Sequence, residues 1–184
     1  YGIPVIEDAA EGFGSKFDGR VLGTFGKYGV LSFNGNKMIT TSGGGALVCP
    51  DTEAKKEIMF YATQARESYP YYQHEHIGYN YRMSNICAGI GRGQMTVADD
   101  HIVHHKHVCQ LYKELLADVE GIALHENPSS RYDSNYWLCT ILLRHRCIRG
   151  VNRIVMSRLC GWLWIPQVSN RVHCGNRCIC NRFT

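Results

Sequence analysis

The fold is decided by two short apolar stretches, Gly2-Ile-Pro-Val-Ile-Glu-Asp8 and Tyr28-Gly-Val-Leu-Ser-Phe33. The first has the length and the β-branched residues of a parallel strand that is covered on both faces. The second is a strand of similar length, and Ala46-Leu-Val-Cys49 is a third. Further elements are predicted downstream: helices over 51–64, 85–97 and 99–119, and a last strand over 136–143. Strands that alternate with helices indicate an α/β fold.

Polar side chains stand at the ends of the predicted strands. Asp8 closes the first strand, Ser32 lies at the end of the second, and Lys37 follows in the turn-rich loop 34–45. Ligands of α/β proteins bind at the carboxyl ends of strands. A carboxylate, a hydroxyl and an amine beside a Gly-rich loop suit a phosphate-bearing carbonyl cofactor with a pyridine ring. The pattern alone also allows a turn-capping Asp8 and a solvated Lys37.

The composition excludes several classes of protein. The chain has 184 residues, of which 45% are hydrophobic and 20% charged, as in ordinary globular domains rather than disordered or fibrous chains. No apolar run approaches the roughly 20 residues that span a bilayer, and no secretory signal is visible at the start. The four scattered cysteines before residue 143 indicate incidental thiols of a cytoplasmic protein.

Charge and composition change near residue 143. Residues 1–143 contain all 16 acidic residues, whereas residues 144–184 contain eight Arg, five Cys and no Lys, Asp or Glu. An ordinary domain rarely has such a composition. We therefore expect 144–184 to be an atypical tail that packs poorly, and we interpret it as translation out of frame. A divergent native tail is the alternative.

Several ordered motifs resemble one enzyme family. They are Val5-Ile-Glu-Asp-Ala-Ala-Glu-Gly-Phe-Gly14, Gly23-Thr-Phe-Gly26, Ser32-Phe-Asn-Gly-Asn-Lys-Met-Ile-Thr-Thr-Ser-Gly-Gly-Gly45 and Gly78-Tyr-Asn-Tyr-Arg-Met-Ser-Asn85. Together with Ala88-Gly-Ile-Gly-Arg-Gly-Gln-Met95 they resemble the DegT/DnrJ/EryC1/StrS family of sugar-nucleotide aminotransferases over about residues 1–143. These are fold-type I enzymes that depend on pyridoxal 5'-phosphate.

The resemblance implies a role for each matching residue. Asp8 would pair with the pyridine nitrogen, Lys37 would form the internal aldimine, and Ser32 would bind the cofactor phosphate. Glu11 falls near the ring hydroxyl, where many relatives have Gln and some that make 4-amino sugars have Glu. Asn80 and Arg82 would reach the cofactor phosphate of the neighbouring subunit in a homodimer.

The resemblance also implies a reaction. The motifs are most similar to enzymes that move an amino group, from a donor such as glutamate, to C4 of a UDP-linked 4-keto-6-deoxy-acetamido sugar for surface glycans. Related sugar dehydratases carry His in place of the Schiff-base lysine, so Lys37 favours transamination. We expect a cytoplasmic enzyme with neither nucleic acid nor membrane as partner.

The resemblance further implies a partial chain. Residues 1–120 would be the C-terminal part of the cofactor-binding large domain, built on a mainly parallel sheet, and 121–143 the start of the small α/β domain. Since much of the family's site would lie outside this chain, we expect the fragment itself to be inactive. The alternative function is a non-enzymatic fragment or binding module.

Three other motifs suggest ligands less strongly. His101-x-x-His-His-x-His107 has helical metal-ligand spacing, and Cys174-x-x-x-Cys-x-Cys180 could suggest zinc, but neither forms a complete standard motif. We therefore expect no metal. Gly89-x-Gly-x-Gly93 mimics a dinucleotide-binding motif, yet it follows a helix start rather than a strand, so close packing of a helix is the better interpretation.

Overall fold

The structure, a computed structural model, describes residues 1–143 and the strands Val172–Cys174 and Arg177–Ile179. It divides into two compact units, Tyr1–His101 and Ile102–Thr184. Each unit is a set of residues whose backbones lie close together. Such a unit differs from a domain in the family's sense, so the domain boundary expected at residue 120 stays a prediction.

A three-stranded mixed sheet forms the centre of the first unit. The unit contains the strands β1 (Ile6–Asp8), β2 (Lys16–Phe17), β3 (Arg20–Val21), β4 (Tyr28–Ser32) and β5 (Gly45–Val48), and the helices α1 (Thr52–Ala62) and α2 (Asn85–Met95). The central strand β4 pairs with β1 in parallel and with β5 in antiparallel orientation. The α/β class is confirmed, although this part of the expected mainly parallel sheet is half antiparallel.

The prediction that the first strand is covered on both faces was wrong. Within the described residues, Val5 and Ile6 are 61% and 67% exposed. An apolar sequence shows that a strand can be buried, but burial itself depends on which layers pack against the strand. No described element of the first unit covers this part of β1.

The segment 9–26 contains more regular structure than the sequence suggested. Strands β2 and β3 form an antiparallel hairpin, with Lys16 paired to Val21 and Phe17 to Arg20. The turn between them is Asp18-Gly19, and both residues have positive φ, 48° and 79°. Asp-Gly is a strong signal for a two-residue hairpin turn, so the sequence did carry the information.

Both helices of the first unit begin at the predicted polar caps. Asp51 Oδ1 accepts a hydrogen bond from the Ala54 N–H at 2.7 Å, and Ser84 Oγ accepts one from the Cys87 N–H at 3.2 Å. Helix α1 ends at Ala62, two residues before the predicted end, because Gln64 takes a positive φ of 69°. The Gln64 N–H then donates to the Tyr79 carbonyl, which brings segment 78–81 back alongside the end of α1.

The largest fully buried side chains of the first unit lie in the loop after Lys37 rather than in the strands. Ile39 and Thr41 are each 1% exposed, and Met38 in the same loop is also buried. The loop that follows Lys37 is therefore a packed element of the fold.

The second unit is built around a four-stranded sheet of order β10-β9-β8-β6. Its elements are β6 (Ile122–Leu124), β7 (Tyr132–Asp133), β8 (Ile141–Leu143), β9 (Val172–Cys174) and β10 (Arg177–Ile179), and α3 (Ala98–Leu115) runs into it. Strand β8 is shorter than the predicted strand 136–143, because Tyr136 has a φ of 48° and its N–H bonds to Ser134 Oγ. Ion pairs Lys106–Asp133 (2.6 Å) and Lys113–Glu126 (2.5 Å) join α3 to strand β7 and to the loop after β6.

Three expectations concern the last part of the chain or the membrane. The prediction that 144–184 packs poorly concerns residues that lie largely outside the described part of the chain. The side chains of the Cys174–Cys180 motif lie outside it as well. Among the described residues, the helices fall short of the length and apolar character that a bilayer crossing requires.

Candidate active site

Asp8 is the last residue of β1 and lies at the carboxyl end of the parallel pair. Its backbone is opposite Val30 of β4, and the Ala9 N–H donates to the Val30 carbonyl at 2.9 Å. The Asp8 Oδ1 atom accepts a hydrogen bond from the Ala10 N–H at 3.1 Å. This local bond fixes the turn after β1 and leaves the second carboxylate oxygen available for another contact.

Ser32 lies on the same face of the sheet as Asp8. Asp8 is in register with Val30, and Ser32 follows Val30 by two residues along β4, so the alternation of a strand places all three on one face. The Ser32 Oγ atom accepts a hydrogen bond from the Asn34 N–H at 3.4 Å. The carboxylate and the hydroxyl predicted from the sequence thus stand at the ends of neighbouring strands.

Lys37 reaches this region through an ion pair with Glu11. The Lys37 Nζ atom lies 3.1 Å from Glu11 Oε1, and the side chains are 14% and 65% exposed, respectively. The Lys37 N–H donates to the Asn34 carbonyl at 3.0 Å, which closes a turn directly before the buried segment. A lysine held at so low an exposure next to a carboxylate differs from an ordinary solvated surface lysine.

A cavity of about 250 Å³ is lined by two of these residues, Asp8 and Glu11. It lies at the carboxyl end of β1, and Asp8 and Glu11 are both in its wall. Its lining residues are Glu7, Asp8, Ala9, Ala10, Glu11, Gly12 and Leu22. Because Glu11 also binds Lys37, the cavity and the ion pair bring Asp8, Glu11 and Lys37 into one neighbourhood.

Glu7 is a residue of this site that the sequence reasoning did not select. Its carboxylate accepts hydrogen bonds from the backbone N–H groups of Gly23 (2.6 Å), Phe25 (2.8 Å) and Gly26 (3.3 Å). Burial raises the pKa of this carboxyl, but the three N–H donors and the charge of Arg20 together bring the pKa below its ordinary value. An acid inside an otherwise apolar strand, followed by a Gly-rich loop, was the available signal.

Asn80 and Arg82 are not brought to the other predicted residues. Both are exposed, and in the part of the chain that the structure describes no hydrogen bond or ion pair joins them to Asp8, Ser32 or Lys37. The backbone of Asn80 pairs with Thr63 instead. This position fits the expectation that the two side chains act outside their own subunit, and their role stays a prediction.

The other chemistry-bearing motifs form no second centre in this part of the chain. Within residues 1–143, no group of three or more His, Cys, Asp or Glu side chains is arranged to hold a metal. Cys49, Cys87, Cys109 and Cys139 carry no disulfide, and burial raises the pKa of the Cys139 thiol to about 12. A thiol with so high a pKa is a poor nucleophile at neutral pH.

The chain has similar proteins of known name. EpsN of Bacillus subtilis (strain 168), assigned as a pyridoxal phosphate-dependent aminotransferase, is 47% identical over 143 residues, which cover 78% of this chain and 37% of EpsN. The GDP-perosamine synthase of Escherichia coli O157:H7 is 40% identical over 140 residues, 76% of this chain and 38% of that protein. The chain therefore spans little more than a third of the length of these relatives.

Solved structures and a family model agree with these relatives. The aminotransferase TlmJ from Streptoalloteichus hindustanus superposes with a TM-score of 0.75 at 24% identity, over 85% of this chain and 43% of TlmJ. The aminotransferase PseC of Helicobacter pylori superposes with a TM-score of 0.73 at 22% identity, over 84% and 42% of the two chains. These likenesses show the fold-type I aminotransferase fold. Since the model of the DegT/DnrJ/EryC1/StrS aminotransferases matches residues 1–161, the chain belongs to this family of pyridoxal-phosphate-dependent enzymes.

Proposed function

We propose that this chain supplies the cofactor-binding end of an aminotransferase that acts on a nucleotide-linked sugar. One observation carries the proposal: the Lys37 amine lies 3.1 Å from Glu11, and Glu11 and Asp8 line the same cavity. A largely buried lysine that pairs with a carboxylate of a cavity, at the carboxyl end of a parallel strand pair, is typical of a ligand-binding site.

The residues present fit pyridoxal phosphate by their chemistry. Asp8 offers a carboxylate for a ring nitrogen, Glu11 offers a second carboxylate for the ring hydroxyl, and Lys37 offers an amine for the aldehyde. The Ser32 hydroxyl, on the same sheet face as Asp8, offers a hydrogen-bond donor to the cofactor phosphate. Asn80 and Arg82 are exposed, and in a homodimer they would bind the cofactor phosphate held by the second subunit.

Each side chain has a separate task in the proposed reaction. When bound, pyridoxal phosphate supplies an aldehyde that carries the amino group and a ring that accepts electrons. The Asp8 carboxylate holds a proton on the ring nitrogen, which makes the ring a better electron acceptor. The Lys37 Nζ atom moves a proton to and from the substrate carbon that bears the amine, as expected of a general acid–base lysine. A lysine at this position favours transamination over dehydration.

The substrate class is proposed from the names of relatives. A Campylobacter jejuni relative, 29% identical, is a UDP-4-amino-4,6-dideoxy-N-acetyl-beta-L-altrosamine transaminase, and a Shigella dysenteriae relative, 31% identical, is a dTDP-4-amino-4,6-dideoxy-D-glucose transaminase. Both names combine a nucleoside diphosphate with a 4-amino-4,6-dideoxy sugar. We therefore propose a nucleotide-linked 4-keto-6-deoxy sugar as amino acceptor, with UDP as the nucleotide and glutamate as donor, in cytoplasmic glycan precursor synthesis.

The role of Lys37 can be tested in a chimaera. Residues 1–143 would replace the matching segment of the E. coli GDP-perosamine synthase, which supplies the remaining length of the enzyme. We expect Lys37→Ala to lower kcat by at least about 1,000-fold, because the anchor and the proton-transferring amine are both lost. Borohydride reduction should attach a phosphopyridoxyl group to Lys37 of the parent chimaera.

The matched control is Lys56→Ala. Lys56 is an exposed lysine of α1 that pairs with Glu53, and its removal should leave turnover within about twofold of the parent value. An active chimaera in which Lys37→Ala retains near-normal turnover would overturn the proposed function. Reductive labelling of a different lysine would overturn it as well.

A further inference from the structure

The glycine repeat of α2 has one member that contacts the loop after Lys37. A Cβ atom added at Gly91 would lie 2.9 Å from Thr41 Cγ2, whereas at Gly89 and Gly93 it would meet nothing within 4 Å. A distance of 2.9 Å is below ordinary carbon–carbon contact, so a larger residue at 91 would push α2 and Thr41 apart. The structure thus confirms close helix packing at Gly91 and leaves the other two glycines exposed.

Gln94 contacts the same loop one turn further along the helix. Its Oε1 atom accepts a hydrogen bond from the backbone N–H of Thr40 at 3.2 Å. The neighbouring Thr41 is almost fully buried, and its Oγ1 donates to the Gly43 carbonyl at 2.5 Å. The Thr41 N–H donates to the Phe33 carbonyl at 2.9 Å. Helix α2 therefore contacts a part of the loop whose backbone is also hydrogen-bonded to Phe33, the residue that follows β4.

The link from this contact to Lys37 is short and packed. Met38 and Ile39 separate Lys37 from Thr40, and both side chains are buried. On its other side, the Lys37 N–H is bonded to the Asn34 carbonyl. With both flanks fixed, the backbone position from which the Lys37 side chain reaches Glu11 is held, and it shifts when the Thr40–Thr41 segment moves.

We propose that Gly91 and Gln94 are positioning residues for the Lys37 amine. Gly91 sets how closely α2 approaches Thr41, and Gln94 fixes the Thr40 N–H, so that Lys37 Nζ stays beside Glu11. The two residues position the Lys37 amine whether or not a cofactor is bound. The importance of that position for catalysis rests on the proposed function of Lys37.

The first test compares two substitutions of Gln94 in the 184-residue chain. Gln94→Leu removes the acceptor, and we expect the Thr40 amide to exchange its hydrogen about tenfold faster. Acetylation of Lys37 by acetic anhydride, measured relative to the exposed Lys55, should rise about threefold as the loop loosens. Gln94→Glu keeps an acceptor oxygen and should restore both rates to within about twofold of the parent values.

The second test uses the glycine repeat as its own control. Gly91→Ala should raise the acetylation rate of Lys37 about threefold, because the added methyl group displaces Thr41. Gly89→Ala and Gly93→Ala make the same chemical change on the same helix in open space, and they should leave that rate unchanged. If Gly91→Ala fails to fold, the two Gln94 variants decide the question.

Two results would overturn the proposal. One is an unchanged Thr40 exchange rate in Gln94→Leu, and the other is a faster Thr40 exchange with an unchanged Lys37 acetylation rate. Neither measurement requires cofactor or turnover. A failure of the proposed function in the chimaera would therefore leave these results in place, and the two failures can be told apart.

Discussion

At the residue scale, Glu7 determines how the Gly23–Gly26 loop is attached to β1. Three backbone N–H groups converge on its carboxylate, and they lower its pKa from the ordinary value of a glutamate, against the effect of burial. We expect Glu7→Gln to lower the free energy of unfolding at pH 7 by about 1–3 kcal/mol, because an amide has one acceptor oxygen and brings N–H donors against N–H donors. Urea unfolding of the 184-residue chain measures this change.

The pH dependence of the same variant follows from the sign of the shift. A carboxyl whose pKa is lower in the folded state stabilises the fold above its unfolded pKa, and this contribution is lost as the pH falls through the folded pKa. The difference between the parent and Glu7→Gln should therefore shrink as the pH falls below about 4.5. Glu57→Gln, on the exposed side of α1, is the matched control and should show little effect at either pH. A difference that grows towards acid would contradict the assignment.

Residue chemistry was the part of the site that the sequence predicted best. Asp8, Ser32 and Lys37 were selected because ligands of α/β proteins bind at the carboxyl ends of strands and because the three residues match the family motifs, and the structure places Asp8 and Ser32 on one sheet face. Glu7 was missed because its role depends on backbone N–H groups sixteen to nineteen residues away. A sequence shows the identity of an acceptor, but the convergence of donors on it is a property of the folded loop.

At the element scale, Ser84 caps the helix that supports the Lys37 loop. Its Oγ accepts a hydrogen bond from the Cys87 N–H, and the first turn of α2 contains no acidic residue. We expect Ser84→Ala to lower the free energy of unfolding by about 1 kcal/mol, because the N–H group at Cys87 loses its protein acceptor. Ser84→Asp keeps an acceptor and adds a favourable charge at the helix N-terminus, so it should match or exceed the parent stability.

Urea unfolding midpoints of the three chains check this prediction. Equal stability of Ser84→Ala and the parent would show that α2 is held by its contacts with the loop alone.

Elements whose signals are local were predicted well, and elements that depend on distant packing were not. The two capped helices and β4 were found within two residues of their ends, since caps and apolar runs are local features. The exposure of β1 and the shortness of β8 were not foreseen. The first depends on which layers cover a strand, and the second on the left-handed backbone at Tyr136, a conformation that non-glycine residues adopt infrequently.

At the scale of the whole molecule, residues 144–184 differ in composition from the rest of the chain, with eight Arg and no Lys, Asp or Glu. The match to EpsN covers 143 residues, whereas the family model continues to residue 161. We keep the proposal that the reading frame changes after about residue 143, and we expect family-like sequence to continue in another frame of the coding DNA. Sequencing that DNA checks the prediction, and its failure would be an intact frame with no family-like sequence in the other two.

The last prediction concerns association through the aromatic surface formed by residues 69–81. Within this surface Tyr69 stacks on Tyr71 with ring centroids 5.4 Å apart, and Tyr79 stacks on Tyr81 at 5.1 Å. All four rings are exposed, as is Ile86 at the start of α2. An exposed apolar patch of this kind is typical of an interaction site, and the exposed Asn80 and Arg82 lie within or beside it. We propose that a second copy of the chain covers it.

Self-association should therefore depend on this surface. We expect the double variant Tyr79→Ser, Tyr81→Ser to raise the dimer dissociation constant at least about 30-fold, since exposed aromatic anchors often contribute about 2 kcal/mol each to an interface. Sedimentation equilibrium of the 184-residue chain measures the constant. Tyr132→Ser removes a ring that is also exposed but lies outside residues 69–81, and it should leave the constant unchanged. A chain that stays monomeric, or a dimer that both changes leave intact, would show that these tyrosines have another role, and Asn80 and Arg82 would then lose their proposed place at a neighbour's cofactor phosphate.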